Sequence, residues 1–127
     1  MSKKILLVDG NAAFRTAMVP ELAEAGYEVT EVETAEAARQ ALSQSAFDLA
    51  ISNTALEHVD SGFGLAFHMK QDYPAMPVIL VTKVNQQEGL HFTLNSAAER
   101  AWIKADVLLD LPIRGEQLLS EIKRLTA

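Results

Sequence analysis

Apolar residues come in short runs along the chain: Ile5 to Val8, Glu28 to Val32, Leu49 to Ile51, Val78 to Val81 and Val107 to Leu109. Each run has the length of a strand. Four are continuous and rich in Val, Ile and Leu, the pattern of parallel strands covered on both faces. The exception, EVTEVE, mixes charge with Val29 and Val32 and predicts an edge strand. Helical spacing fills the intervals. After Asn11, a candidate N-cap, Phe14, Met18 and Leu22 recur every four residues, and Gly26 supplies a terminating glycine. Pro20 falls inside that segment, where proline costs about 3 kcal/mol, so a kink or a late first turn is expected. Thr34 can cap an Ala-rich helix over 35–44. A third helix is predicted over 62–73, carrying Leu65, Phe67 and Met69 and stopping before Pro74. The last, over 114–126, places Leu118, Leu119, Ile122 and Leu125 on one face. Residues 83–104 are the least regular: Gly89, His91 and Asn95 interrupt the periodicity, and a loop plus a helix is the expectation. Strand and helix alternate throughout, which predicts an α/β domain, a doubly wound five-stranded parallel sheet with helices on both faces and right-handed crossovers.

Composition narrows the functional classes. With 127 residues, 49% of them hydrophobic, the chain suits one domain with its own core. A formal net charge of -6 argues against a basic face for a phosphate backbone, so no nucleic-acid partner is expected. Cysteine is absent, which removes disulfides, thiolate metal sites and sulfur redox chemistry. The run after MSKK is too short for a signal segment, and nothing approaches the roughly 18 apolar residues of a membrane span. A cytoplasmic location and no membrane contact are the expectations. His58, His68 and His91 lack ligand spacing, and Trp102 is expected to fill a gap beside the last strand.

In a doubly wound sheet the carboxyl ends of the strands share one rim, where ligands usually bind. The residues there are Asp9 after the first strand, Asn53 after the third, Thr82 after the fourth, and Asp110, Leu111 and Pro112 after the fifth. Each polar one also has a purely structural role open to it. Asp9 can cap the following turn or helix, Thr82 can satisfy backbone groups at its strand end, and Asn53 can bond its neighbouring turn.

The segments KKILLVDGNAAFR, AGYEV, FDLAISNTAL, MPVILVT and DLPIRGEQLLSEI, in that order and over nearly the whole chain, resemble the receiver domain of two-component response regulators. The resemblance implies a CheY-like (flavodoxin-like) fold with strand order 2-1-3-4-5. In that family two adjacent acids after the first strand and an aspartate after the third hold Mg²⁺, and that aspartate accepts a phosphoryl group from a kinase histidine. A Ser or Thr after the fourth strand and a Lys before a Pro after the fifth bind the phosphoryl oxygens. Here Asp9 keeps one acid, but its neighbour is Gly10. The acceptor position is Asn53, and a neutral amide cannot attack phosphorus to form an acyl phosphate. Thr82 keeps the hydroxyl. Leu111 stands where the lysine belongs, Leu108 where a switching aromatic usually lies, and Glu57 where a proline usually follows the acceptor.

The first functional expectation is therefore a degenerate, stand-alone receiver, not an enzyme, acting by phosphorylation-independent protein–protein interaction. It would need no cofactor, with Mg²⁺ at most weakly held at Asp9. Its partner would be a protein of unknown identity: a histidine kinase, an effector or another receiver. The family's common pairing face, around the last strand and last helix, here carries Arg100, Asp106, Asp110, Arg114, Glu116, Lys123 and Arg124, and a symmetric homodimer through it is one possibility. A second expectation is a phosphorelay receiver modified elsewhere. Of Asp60, Ser52 and Thr54 only Asp60 has the chemistry, and it lies seven residues past the acceptor position. A third is a small-ligand-binding domain on the same fold, using the rim formed by Asp9, Asn53 and Thr82.

Overall fold

The computed structural model describes residues 3–53, 61–82, 106–110 and 115–126. Five strands, β1 (Lys4–Val8), β2 (Glu28–Val32), β3 (Leu49–Asn53), β4 (Val78–Thr82) and β5 (Val107–Asp110), form one sheet in the order β2-β1-β3-β4-β5. Every pairing is parallel. The helices described are α1 (Ala12–Glu24), α2 (Ala35–Gln44), α3 (Ser61–Asp72) and α4 (Gly115–Leu125).

The continuous apolar runs follow from burial on both faces. Side chains alternate across a strand, so Leu6, Val8, Ala50 and Leu80 meet Ala38 and Leu42 of α2 and Leu65 and Met69 of α3 on one face. Ile5, Leu7, Ile51 and Ile79 meet Met18 and Leu22 of α1 and Leu118 and Ile122 of α4 on the other. Full burial of such an aliphatic side chain contributes about 1.5–3 kcal/mol, and Ile5 to Val8 are all completely inaccessible. Strand β2 is covered less, with Glu28, Thr30 and Glu31 exposed and Val29 and Val32 half-buried, as the mixed pattern predicts for an edge.

Helix α1 starts at its predicted cap. The Asn11 side-chain oxygen accepts the Ala13 and Phe14 amides at 3.0 and 3.4 Å. The expected late start is not found: the helix runs from Ala12 through Pro20 to Glu24. Both Pro20 and Thr16, whose carbonyl loses its partner at a proline four residues on, are exposed, so water can take the place of the missing amide. The helix ends in a Schellman motif. Gly26, at φ 98°, donates to the Ala23 carbonyl at 3.0 Å, and Tyr27 donates to that of Leu22 at 3.1 Å.

The amino-terminal rim uses one device twice. Asp48, just before β3, accepts the Lys4 amide of β1 at 2.7 Å. Asp106, just before β5, accepts the Val78 amide of β4 at 2.8 Å. Each carboxylate thus receives the first amide of the neighbouring strand. Lys70, near the end of α3, adds bonds to Asp106 at 3.1 Å and to the carbonyls of Pro74 and Met76 at 3.2 and 3.0 Å.

Candidate functional site

The opposite, carboxyl-terminal rim gathers the polar side chains. Strand β3 extends two residues beyond the predicted stop at Ile51, with Ser52 and Asn53 still paired to Leu80 and Val81. Their polarity does not end the strand because ladder bonds continue past them, and the buried Ser52 hydroxyl donates to the Asn53 carbonyl at 2.9 Å. Val8 lies beside Ser52 in the register, so Asp9 and Asn53 are adjacent. Both are buried, at 2% and 8% exposure.

Asp9 divides its carboxylate between two tasks. One oxygen, Oδ1, accepts the Asn11 amide at 2.8 Å, shaping the turn that leads into α1. The other, Oδ2, accepts the Asn53 side-chain amide at 3.2 Å. The capping role and the pocket role, open alternatives in the sequence, are thus carried by the two oxygens of one residue. The backbone of Asp9 is held as well, its amide donating to the Val32 carbonyl at 3.1 Å. Arg15 of α1, with only 11% of its side chain exposed, closes the arrangement: its guanidinium donates to the Asp9 carbonyl and pairs with Glu31 and Glu33, each at 3.1 Å. Sequence reasoning missed Arg15. The signal available was a basic residue one turn into a helix that starts beside an acidic edge strand.

Gly10 is exposed, and a Cβ placed there would lie 3.6 Å from the Glu33 carbonyl, an ordinary contact. Space does not demand glycine at this position.

Among the described residues the rim offers few charged donors to a magnesium ion. Mg²⁺ takes near-octahedral oxygen ligands and is usually held through carboxylates. Across positions 9, 10 and 53 there is one carboxylate, and both of its oxygens already accept hydrogen bonds. Among the described residues no group of three or more His, Cys, Asp or Glu side chains is placed to hold a metal.

Of the other residues singled out in the sequence, Thr82 ends β4 directly across from Asp110 of β5, on the same rim as Asn53. Asp106 lies just before β5, at the other rim. It sits, exposed, at the amino-terminal rim, where its carboxylate accepts from Lys70 and the Val78 amide. Glu116, Lys123 and Arg124 lie exposed on α4, where Arg124 pairs with Glu121. Thr54, Glu57, His58, Asp60, His91, Arg100, Trp102, Leu111 and Arg114, and the irregular segment 83–104, lie outside the described residues.

A parallel sheet of order 2-1-3-4-5, with polar side chains collected where strand order reverses beside β1 and β3, defines a flavodoxin-like doubly wound domain. Comparison with known proteins narrows this. Residues 5–105 match the family model of the response regulator receiver domain. The chain is 33% identical over 117 residues to the response regulator protein FleR of Pseudomonas aeruginosa, covering 90% of this chain and 24% of that protein. It therefore spans about a quarter of the length of this curated relative. A CheY-like receiver domain protein from Methanospirillum hungatei superposes with a TM-score of 0.81 at 26% identity, covering 98% of this chain and 93% of that one. The chemotaxis response regulator CheY4 of Vibrio cholerae shares the fold with a TM-score of 0.82 at 24% identity, covering 98% and 99%. The chain belongs to the response regulator receiver domain family and is a receiver domain of two-component signalling. Such domains work by contact with kinases or effectors. Among the described residues no helix is long and apolar enough to cross a membrane.

Proposed function

We propose that this receiver domain signals without aspartyl phosphorylation, by binding a protein partner in the cytoplasm, and that it is not an enzyme. The observation that carries the reading is the hydrogen bond from the Asn53 amide to the Asp9 carboxylate. At the position where the family places its nucleophile stands a group whose nitrogen lone pair is delocalised and whose N–H is already donated. It supplies no attacking carboxylate.

The same bond gives a physical account of how the pocket does without a cation. Three carboxylates at positions 9, 10 and 53 would repel one another unless a dication lay between them. Gly10 and Asn53 leave a single negative charge, and the amide dipole faces it directly. A hydrogen bond to a charged acceptor contributes about 1.5–3 kcal/mol, so the rim holds itself together without metal. Affinity for Mg²⁺ is correspondingly weak. The lost groups form a consistent set, because without a nucleophile neither the second acid nor the lysine position retains a phosphoryl group to serve.

The test is intact-protein mass after incubation with acetyl phosphate and Mg²⁺, run beside Asn53→Asp and Gly10→Asp/Asn53→Asp. The expected result is no phosphoryl adduct on the unaltered chain. An adduct there would overturn the reading, and mapping it to Asp60 would make the domain a phosphorelay receiver that uses a loop carboxylate.

A further inference from the structure

Every polar group of Asp9 is engaged. Its amide donates to the Val32 carbonyl, its carbonyl accepts the Arg15 guanidinium, and its two carboxylate oxygens accept the Asn11 and Asn53 amides. Arg15 is placed to organise this set. Its three guanidinium nitrogens go to three different groups: Nε to Glu31, Nη2 to Glu33 and Nη1 to the Asp9 carbonyl. The first turn of α1 is thereby tied to the end of β1 and to the end of β2 at once. The backbone fits the same contact, because Gly10 rests against the chain just after β2, where a Cβ would lie 3.6 Å from the Glu33 carbonyl.

We infer that Arg15 is a positioning residue, a strap that holds the turn at residues 9–11 and, through Asp9, the Asn53 side chain in a single arrangement. The rim then does not switch, and the domain offers its partner a constant surface. The inference rests on the proposed reading that signalling is independent of phosphorylation, and it names how that site is regulated: its state is fixed by the fold.

A switch needs a second arrangement close in free energy to the first. Moving Asp9 would strip donors from a carboxylate on a residue only 2% exposed and leave the largely buried guanidinium short of an acceptor. Glu31 and Glu33, whose side chains are exposed, add little as ion pairs. Their part is to take Nε and Nη2, which leaves Nη1 aimed at the Asp9 carbonyl. A lysine cannot repeat this, since its ammonium is a point charge without the planar fork that reaches three separate acceptors.

The test is NMR on the 127-residue chain, reading amide solvent exchange and ¹⁵N relaxation dispersion, beside Arg15→Lys, Arg15→Met and Glu31→Gln/Glu33→Gln. The unaltered chain should show no microsecond-to-millisecond exchange at the Asp9, Asn11 and Asn53 backbone amides. In both Arg15 variants dispersion should appear at Asp9 and Asn53, and solvent exchange at the Asn11 amide should quicken by about tenfold or more, as expected on losing a hydrogen bond to a charged group. The Lys4 and Val78 amides, held by Asp48 and Asp106 at the opposite rim, should keep their rates. The double glutamine variant should move the same amides in the same direction by a smaller factor.

Dispersion at Asp9 in the unaltered chain overturns the inference. So does full rescue by Arg15→Lys, which would leave only a charge effect, or equal quickening at Lys4 and Val78, which would make Arg15 a stabiliser of the whole fold. If Arg15→Met fails to fold, unchanged Asn11 exchange in the double glutamine variant overturns it instead. Acetyl phosphate labelling of the same samples keeps the two proposals separable. An adduct on a chain with a static rim removes phosphorylation independence and leaves the strap, whereas a mobile rim without an adduct removes the strap alone.

Discussion

Replacing Asn53 with Asp should destabilise this protein in the absence of a cation, although it restores the residue on which phosphotransfer in the family depends. The substitution changes a donor into a second carboxylate 3.2 Å from Asp9 Oδ2, at a site where both residues are buried. Two unit charges at that distance repel by roughly 5 kcal/mol at an effective dielectric constant near 20, and by about 4 kcal/mol if the groups swing apart to about 4 Å. Relaxation lowers this further, while loss of the charge-assisted hydrogen bond sets a floor of about 1.5 kcal/mol. The expected cost at pH 7 is about 3 kcal/mol, a large share of the roughly 5–15 kcal/mol that holds a domain folded. The assay is urea unfolding followed by circular dichroism, in EDTA, from pH 4.5 to 8. A carboxyl pair that repels in the native state holds its proton to higher pH than it does unfolded, so the native state binds more protons and stability falls as pH rises. The deficit of the variant should thus be smallest at pH 4.5 and full by pH 8. Adding 10 mM Mg²⁺ should return about 1.4 kcal/mol if the variant binds the ion with a Kd near 1 mM. A deficit below about 0.5 kcal/mol, or one that does not vary with pH, would refute the electrostatic account of the Asp9–Asn53 contact.

Two further outcomes follow from the geometry. Lys70→Met should cost about 1–2 kcal/mol and speed hydrogen exchange at the Val78 amide, because Lys70 is partly buried and holds Asp106 together with two carbonyls; unchanged exchange at Val78 would show that Asp106 keeps its place without it. The glycines should separate by backbone conformation. Gly26→Ala, at φ 98°, should lose about 1 kcal/mol in chemical denaturation, while Gly10→Ala, with room for a Cβ, should be neutral or gain up to about 1 kcal/mol. Equal effects at the two sites would contradict this.

Much of the architecture is readable in the chain because parallel strands buried on both faces leave uninterrupted apolar runs, as Ile5 to Val8 and Val78 to Val81 do. Asn11 and Gly26 mark the ends of α1 for reasons of local chemistry alone. The neighbouring placement of Asp9 and Asn53 was also legible, since it needs only the rule that strand ends share a rim. What stayed hidden depends on register and rotamer. Ser52 and Asn53 look like a strand terminator until their ladder partners on β4 are known. Lys70 and Asp106 are 36 positions apart and read as two solvated charges, and only the fold reveals one ion pair between them. Arg15 is hidden in the same way, because its three acceptors come from the turn after β1, from Glu31 of β2 and from Glu33 just after that strand.

The paired aspartates at the amino-terminal rim bear on how this chain tolerates change. Asp48 and Asp106 tie strand starts together at the end of the sheet away from Asp9 and Asn53, so the ordering of strands does not depend on which chemistry occupies the other end. A substitution at the carboxyl-terminal rim then costs stability through its own contacts there and leaves the ties between strand starts intact. The sheet is thus pinned at one end and free to vary in its side chains at the other.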